Sequence, residues 1–524
     1  MTFHFSKSDS IIAMSGWHWL GVVACLLWLG GCSSVDVTRM PSQALPYDAA
    51  RDTYLGTWAR QADDTQENVS GMTLVSDGPT AFALRASLAA HAQKTLDIQT
   101  YILRNDRTGR ALLQQMLQAA QRGVRVRLLL DDPTSRNKQA MLAAFDSHPN
   151  IEVRVFNPIT AGRSTRLTYY LALMANFDRK HRRMHNKLWV TDNAVAVTGG
   201  RNLGDEYFEV DDELNFNDLD VMAVGPVVAT LSGSFDNFWN HPLAVPLRQF
   251  ASAQDDAWYD LLIELAEDAA QGNALAMQPA FRRMAGEAGR QLHDSLVWAP
   301  AIALWDPPEK LAVTGYPPFE LTLMDQLEGA FRRLDEELLI ISPYVIPTQA
   351  GIDYLKQLAR RGVRLTVLTN SLEATDVPSL HGAYTPWRPA MLKQGARLYE
   401  LRGNTAHQSA RAVGEISSLH TKAVAFDRDR VFIGSLNADP RSLWWNSELG
   451  LLIDSRELGN RLWDLARQGM RPTRSYQVTL GEDGGLRWTT RRDGQWKTTD
   501  QEPGGLWRHL KAKALHLLPI EQLL

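Results

Sequence analysis

The sequence predicts an α/β protein built from two pseudo-twofold-related sandwich domains, each a mixed sheet flanked by helices. They share one active site, and a small C-terminal strand-and-helix extension follows them. Three observations carry this prediction. A motif occurs twice, at 185–202 and 420–437. Each copy follows the same strand–helix–strand pattern, marked by the phrase R-G-V-R at 122–125 and 361–364. From the shared glycine to the motif histidine is 62 residues in the first half (123 to 185) and 58 in the second (362 to 420).

The 524 residues exceed what one hydrophobic core organises, and 44% apolar with 22% charged residues is ordinary for a folded chain. The net charge is −4, from 55 basic and 59 acidic residues. Non-specific nucleic-acid binding calls for a basic excess, so no nucleic-acid partner is expected. The two cysteines, Cys25 and Cys32, both precede the folded body. The body therefore has no disulfide, no cysteine metal site and no cysteine nucleophile.

Taken in order, residues 1–31 read as a signal peptide. The apolar run 17–29 is shorter than the roughly 20 residues of a spanning helix and matches a secretory core. Leu29-Gly30-Gly31-Cys32 resembles a bacterial lipobox, so Cys32 is the expected lipidation site of a lipoprotein facing the periplasm. Polar, turn-rich residues 32–68 read as a tether. Residues 69–241 form the first domain, with strand LDIQTYIL at 96–103, helix at 109–123 and buried strand at 124–132. Residues 242–300 read as a mainly helical insert or linker. Residues 301–470 form the second domain, with strand at 338–346, helix at 351–362 and strand at 363–370. Residues 471–524 form the extension, with short strands about the Asp493-Gly494 turn and a basic amphipathic end, LWRHLKAKALHLL, expected to pack on the second domain.

The motif copies, HNKLWVTDNAVAVTGGRN and HTKAVAFDRDRVFIGSLN, both fit H-x-K-x4-D-x6-G-(G/S)-x-N. Six specified positions match by chance less than about once in a million starts. On a strand, residues two apart share a face, so His185 projects with Lys187 and His420 with Lys422. Gly199, Gly200, Gly434 and Ser435 let the backbone approach a ligand, which brings Asn202 and Asn437 into the same pocket. Two lysines and two asparagine amides suit the charge that grows on phosphoryl oxygens during displacement. Histidine, with a pKa near 6.5, serves as nucleophile or as acid, giving a covalent phosphohistidine intermediate on one ring and general acid/base catalysis on the other. No metal and no cofactor is expected, because the lysines supply the positive charge.

Each histidine needs an orienting acceptor. Glu448, 28 residues after His420, is assigned to His420. Asp218, 33 residues after His185, is assigned to His185, with Asp220 on the same face as the alternative. Asp192 and Asp427 turn away from the reacting face and read as structural turn residues. His181, beside Arg182 and Arg183, reads as a solvated basic cluster, while His381 and His407 have no partner in the repeat.

These motifs resemble the phospholipase D superfamily over roughly residues 70–524. The strings DIQTYI, GGRNLGDEYF, TNSLEATDVPSLHGAY, GSLNADPRS and LLPIEQLL resemble bacterial cardiolipin synthases of the C type. The resemblance implies two phospholipase D-like domains and transfer of a phosphatidyl group between lipids at a membrane surface. Phosphatidylglycerol is the implied acceptor, and phosphatidylethanolamine or a second phosphatidylglycerol the implied donor. It also implies that His185 is the nucleophile and His420 the acid, which the residues alone do not distinguish. A hydrolytic phospholipase D is the alternative, with a nuclease of the same superfamily further off. A protein partner is not specified. Ser33 after the lipobox cysteine favours the outer membrane, whereas cardiolipin synthesis belongs to the inner one, and both stay open.

Overall fold

Two large mixed sheets organise the chain, each assembled around one copy of the motif. The computed structural model describes residues 40–61, 68–135, 138–159, 168, 171, 174, 181–270, 291–403 and 416–514. The signal segment 1–31, Cys32 and His407 lie outside the described residues.

The first half contributes β1 (Ser70–Val75), β2 (Thr95–Thr100), β3 (Arg125–Asp131), β4 (Ile151–Phe156), β5 (Arg183–Met184), β6 (Leu188–Thr191), β7 (Val195–Gly199), β8 (Leu214–Asn217), β9 (Asp220–Val224), β10 (Ala244–Pro246) and β11 (Val297–Ala299). The second contributes β12 (Ala301–Trp305), β13 (Glu337–Ile341), β14 (Arg364–Asn370), β15 (Arg397–Leu401), β16 (Ile416–Leu419), β17 (Ala423–Phe426), β18 (Arg430–Gly434), β19 (Asn446–Ser447), β20 (Leu449–Asp454), β21 (Ser475–Leu480), β22 (Leu486–Arg492) and β23 (Gln495–Thr499). Sheet one runs β10-β4-β3-β2-β6-β7-β9-β1-β11 and sheet two β12-β20-β18-β17-β13-β14-β15-β21-β22-β23. Within them, the series β4-β3-β2-β6-β7-β9-β1 matches β15-β14-β13-β17-β18-β20-β12 strand for strand. Parallel pairs join the first three members of each and antiparallel pairs the rest.

The repeated R-G-V-R phrase has a local cause. The helix Arg107–Gln121 buries Leu112, Leu113, Met116 and Leu117 on sheet one, and it ends where Gly123 takes φ +91°. The Val124 N–H then donates back to the Ala119 carbonyl at 3.1 Å. Gly362, at φ +80°, ends the helix Thr348–Arg360 in the same way, with Val363 donating to Leu358 at 3.0 Å. Glycine meets no steric penalty in this left-handed position, so it closes the helix and launches the next strand.

Asp192 and Asp427 occupy equivalent turns, at φ 53° and 50°. The Asp192 carboxylate accepts the N–H groups of Gln93, Lys94 and Thr95 at 2.7–2.9 Å. Asp427 accepts those of Asp335, Glu336 and Glu337 at 2.7–2.8 Å. Each motif aspartate thus ties the motif turn to the start of the neighbouring strand β2 or β13.

The inner faces of both sheets, with helices Pro226–Trp239 and Arg456–Gly469, bury into one apolar cluster that includes Met72, Val190, Val221, Leu339, Val431 and Leu451. Separate clusters lie under the outer helices of each half.

Three expectations about segments change. Part of the expected tether is ordered: residues 47–51 and 54–61 are helical, and Ala44 donates to Asp236 at 2.7 Å. The expected insert is not all helical, because β10 and β11 add strands to sheet one, β11 covering β1. The C-terminal strands continue sheet two through β15–β21 pairing rather than standing apart. The closing helix Leu506–Ala514 packs on the helix Pro378–Tyr384, as expected for its end of the chain.

Because Asp192 is fully buried and satisfies three backbone donors, Asp192→Ala should destabilise the fold by about 3 kcal/mol. The half-buried Asp427 should cost less on the same change. Urea denaturation of both variants checks this, and a larger loss at Asp427 would contradict it.

Candidate active site

The two halves meet through two short parallel strand pairs. β5 pairs with β19, Met184 facing Ser447. β8 pairs with β16, Leu419 facing Asn217. In each pair the next residue along one strand is a motif histidine, and the next along the other is an acid of the opposite half. The His185 N–H donates to the Ser447 carbonyl at 3.0 Å, and the His420 N–H to the Asn217 carbonyl at 2.8 Å.

This register determines the partners. His185 Nδ1 lies 2.9 Å from Glu448 Oε2, and His420 Nδ1 lies 2.5 Å from Asp218 Oδ2. The in-half assignments, Glu448 to His420 and Asp218 to His185, are therefore corrected: each acid serves the histidine of the other half. The alternative acid, Asp220, is taken by Arg85 at 2.9 Å and Arg201 at 3.3 Å. With both Nδ1 atoms engaged, Nε2 is the nitrogen each ring offers to a substrate.

Matched side chains hold the histidine strands from behind. Asp131 accepts the Met184 N–H at 3.0 Å, and its repeat equivalent Asn370 accepts the Leu419 N–H at 2.8 Å. Two tyrosines of the first half, which are not repeat equivalents, pack on the rings: Tyr101 meets His185 edge-on at 5.1 Å and Tyr207 meets His420 edge-on at 5.3 Å. Lys187 donates to the His185 carbonyl at 2.6 Å, and Lys422 donates to the His420 carbonyl. Asn202 and Asn437 are buried beside these groups; Asn202 Oδ1 accepts the Ile102 N–H at 3.1 Å, whereas Asn437 Oδ1 is unbonded.

The glycines serve neighbouring protein rather than ligand. A Cβ on Gly199 would lie 2.4 Å from the Leu219 carbonyl oxygen, and one on Gly434 2.2 Å from that of Leu449. A Cβ on Gly200 would lie 2.1 Å from Asp218 Oδ1. Its counterpart Ser435 instead donates to Glu448 Oε2 at 2.5 Å. The shorter acid thus goes with glycine and the longer acid with serine, and the half-sites differ as a matched pair of changes.

The two acids also differ in their electrostatics. Burial pushes Glu448 up to about 7, opposed by Lys187 and Ser435. Burial would also raise Asp218, but His420, Lys422 and Arg201 outweigh it and hold the carboxyl below its ordinary value. Burial and then Lys187 and Lys422 lower His185 well below 6.5. Burial and then Lys422 lower His420, and Asp218 opposes them. Burial lowers both lysines, Glu448 opposing it at Lys187 and Asp218 at Lys422.

Several supporting residues escaped the sequence reading. Arg201, inside the first motif, donates to the carbonyls of Val75, Ser76, Tyr207 and Asp218. Asp306 accepts the Glu448 N–H at 2.7 Å and pairs with buried Lys310 at 3.0 Å. No repeat equivalent marks either group. The basic cluster is likewise corrected: His181, Arg182 and Arg183 are buried, with Arg182 stacked 4.9 Å over Trp445. They sit where the chain passes under the interface. His381 is buried too, bonded to Glu502 at 2.7 Å far along the chain.

The crossed pairing makes a spectroscopic prediction. Glu448→Gln should abolish the strongly hydrogen-bonded Nδ1 proton signal of His185 and leave that of His420, and Asp218→Asn should do the reverse. Each should lower turnover at least about 100-fold, as loss of an orienting carboxylate does elsewhere. Nitrogen-15 NMR of the histidines checks the assignment, and in-half pairing would exchange the two results. Gly200→Ala should lower both the melting temperature and the activity, whereas Ser435→Ala should fold normally.

The family profile described as "Cardiolipin synthase, PLD-like domain" matches residues 86–239 and 325–468, one stretch per half. Cardiolipin synthase C of Escherichia coli (strain K12) is 38% identical over 454 residues, covering 85% of this chain and 94% of that protein. An uncharacterized protein of Helicobacter pylori (strain J99) is 30% identical over 452 residues, covering 84% and 87%. The crystal structure of phosphatidylserine synthase from Haemophilus influenzae Rd KW20 shares the fold, with a TM-score of 0.53 and 15% identity over 80% of this chain and 91% of that one. By its twin motifs, its duplicated architecture and these relatives, the chain belongs to the cardiolipin synthase family of phospholipase D-like enzymes.

Proposed function

We propose that the chain transfers a phosphatidyl group from one phospholipid to a hydroxyl of another, as a cardiolipin synthase does, through a phosphohistidine on His185. The observation that carries the reading is the pair of unequal histidine–acid couples meeting at one interface. His185, kept neutral, attacks phosphorus through Nε2, and the bond from phosphorus to the leaving alcohol oxygen breaks. His420 is lowered less than His185, and the ionised Asp218 opposite it favours its protonated form, so it is the ring that delivers a proton to that oxygen. In the second step His420 takes the proton of the incoming hydroxyl, its oxygen attacks phosphorus, and the nitrogen–phosphorus bond breaks. Lys187 and Lys422 balance the phosphoryl oxygens throughout. Phosphatidylglycerol is the acceptor in this reading, and phosphatidylethanolamine or a second phosphatidylglycerol the donor. Acylation of Cys32 would hold the enzyme on its substrate surface at the periplasmic side.

Mixed phosphatidylglycerol and phosphatidylethanolamine vesicles with EDTA present test the reaction. Wild type should make cardiolipin; His185→Ala should make none and take up no phosphorus label. Phosphatidic acid as the dominant product would change the acceptor to water, and label retained in His185→Ala would remove it as nucleophile. The pH profile tests the role of Glu448. Its carboxylate must be ionised to accept the Nδ1 proton, so activity should fall as pH drops through about 7. Ser435 stabilises the ionised form. Ser435→Ala should therefore raise that limb by roughly half a unit or more, since one hydrogen bond is worth about 1 kcal/mol. An unmoved limb would assign it to another group.

A further inference from the structure

The two halves differ in one place that catalysis does not use. Helices Pro226–Trp239 and Arg456–Gly469 have equal length and follow equivalent strands, so their last turns correspond. In the first half that turn carries Phe235, Phe238 and Trp239, all fully buried, with Phe238 packed on Phe156 at 5.3 Å. The second half has Leu465, Gln468, Gly469 and Leu401 at the matching positions. Four aromatic rings are thus replaced by smaller side chains, and a cavity of about 230 Å³ opens there. Its apolar wall includes Ile341, Leu368, Leu401, Leu419 and Leu465. Asn217, Gln468 and Arg474 supply its polar side. Arg474 is half-buried, follows the position of the buried Leu243 in the first half, and makes no ion pair with a carboxylate among the described residues.

The cavity lies behind the phosphoryl site and adjoins it at Asp218. Along the strand β16 and its continuation, Leu419 and Thr421 face the cavity, while His420 and Lys422 face the other way. Asn217, Asp218 and Leu219 line it likewise, and the Asp218 carboxylate is bonded to His420. An apolar cavity of about 150 Å³ suffices for benzene, so this one has room for a short alkyl segment. Of its two charged lining groups, the Asp218 carboxylate is already bonded to His420, so Arg474 is the one that selects the charge of what enters.

We propose that this cavity, behind the His420–Asp218 couple, is a second lipid site that takes an alkyl chain with its anionic head on Arg474. The head is a carboxylate or a phosphate monoester. A bound chain fills the space that Phe238 and Trp239 fill in the first half, and it packs against the strand pair that aligns Asp218 with His420. The site therefore reads the supply of single-chain anionic lipids at the surface where the enzyme works.

Photolabelling of the full-length chain tests the site without using turnover. Octanoate with a diazirine at its tail should label the segment 462–469. Octanoate or octyl phosphate should compete about tenfold better than 1-octanol, equal to about 1.4 kcal/mol, and the better of the two identifies the head. Leu465→Phe/Gln468→Phe, which copies the first half, should cut labelling about tenfold with turnover unchanged. Arg474→Gln keeps the cavity and should erase the advantage of the charged competitors. Unchanged labelling in the filled variant, or none in wild type, would overturn the site, and equal competition by 1-octanol would overturn the anionic head. Failure of the proposed lipid transfer would leave the labelling result standing, so the two readings fail separately.

Discussion

The structure depends on two short parallel strand pairs across the interface between its halves. Backbone hydrogen bonds there fix which residues face each other, and one residue further on they place a histidine opposite a carboxylate. Since strand side chains alternate faces, a slip of one residue would turn both histidines away from their acids. Everything behind the pairs serves to hold that register: Asp131 and Asn370 on the histidine strands, Arg201 on the loop carrying Asp218, and Asp306 with Lys310 on the start of Glu448.

Burying so many ionisable groups is costly unless each has a partner. Here the site spreads the cost over coupled groups of opposite sign. The lysines face Glu448 and Asp218, and those acids face the histidines. One carboxyl ends above its ordinary value and the other below. This division comes from the balance at each acid: burial prevails at Glu448 against Lys187 and Ser435, whereas His420, Lys422 and Arg201 outweigh it at Asp218. Unequal surroundings are what a reaction with one nucleophile and one acid requires, because two identical histidines would compete for the same proton.

Much of this was legible in the sequence. The twin motifs and the R-G-V-R phrase revealed the repeat, because glycine at a left-handed helix end and charged groups at fixed spacing leave strong local patterns. The histidines, lysines and asparagines that the fold brings together were legible for the same reason, as was the turn role of Asp192 and Asp427. The pairing of acid with histidine was not, because it is set by strands of two and four residues joining distant parts of the chain. Sequence distance favoured the in-half choice, and tertiary register overrode it. Arg182 looked solvated because a charged tripeptide carries no sign of the Trp445 ring that covers it. The strand character of 297–299 was hidden because three residues show no period.

The crossed couples also bear on how such an enzyme can vary. A half-length chain with one motif would need a second copy to complete either couple, and symmetry would then force both histidines into identical settings. Any change made to favour attack on one side would appear on the other as well. Joining the halves by one continuous chain removes that constraint. Gly200 and Ser435, Asp218 and Glu448, and the filled and open last turns of the two inner helices are then free to drift apart, so that covalent duplication converts a symmetric pair into a division of labour.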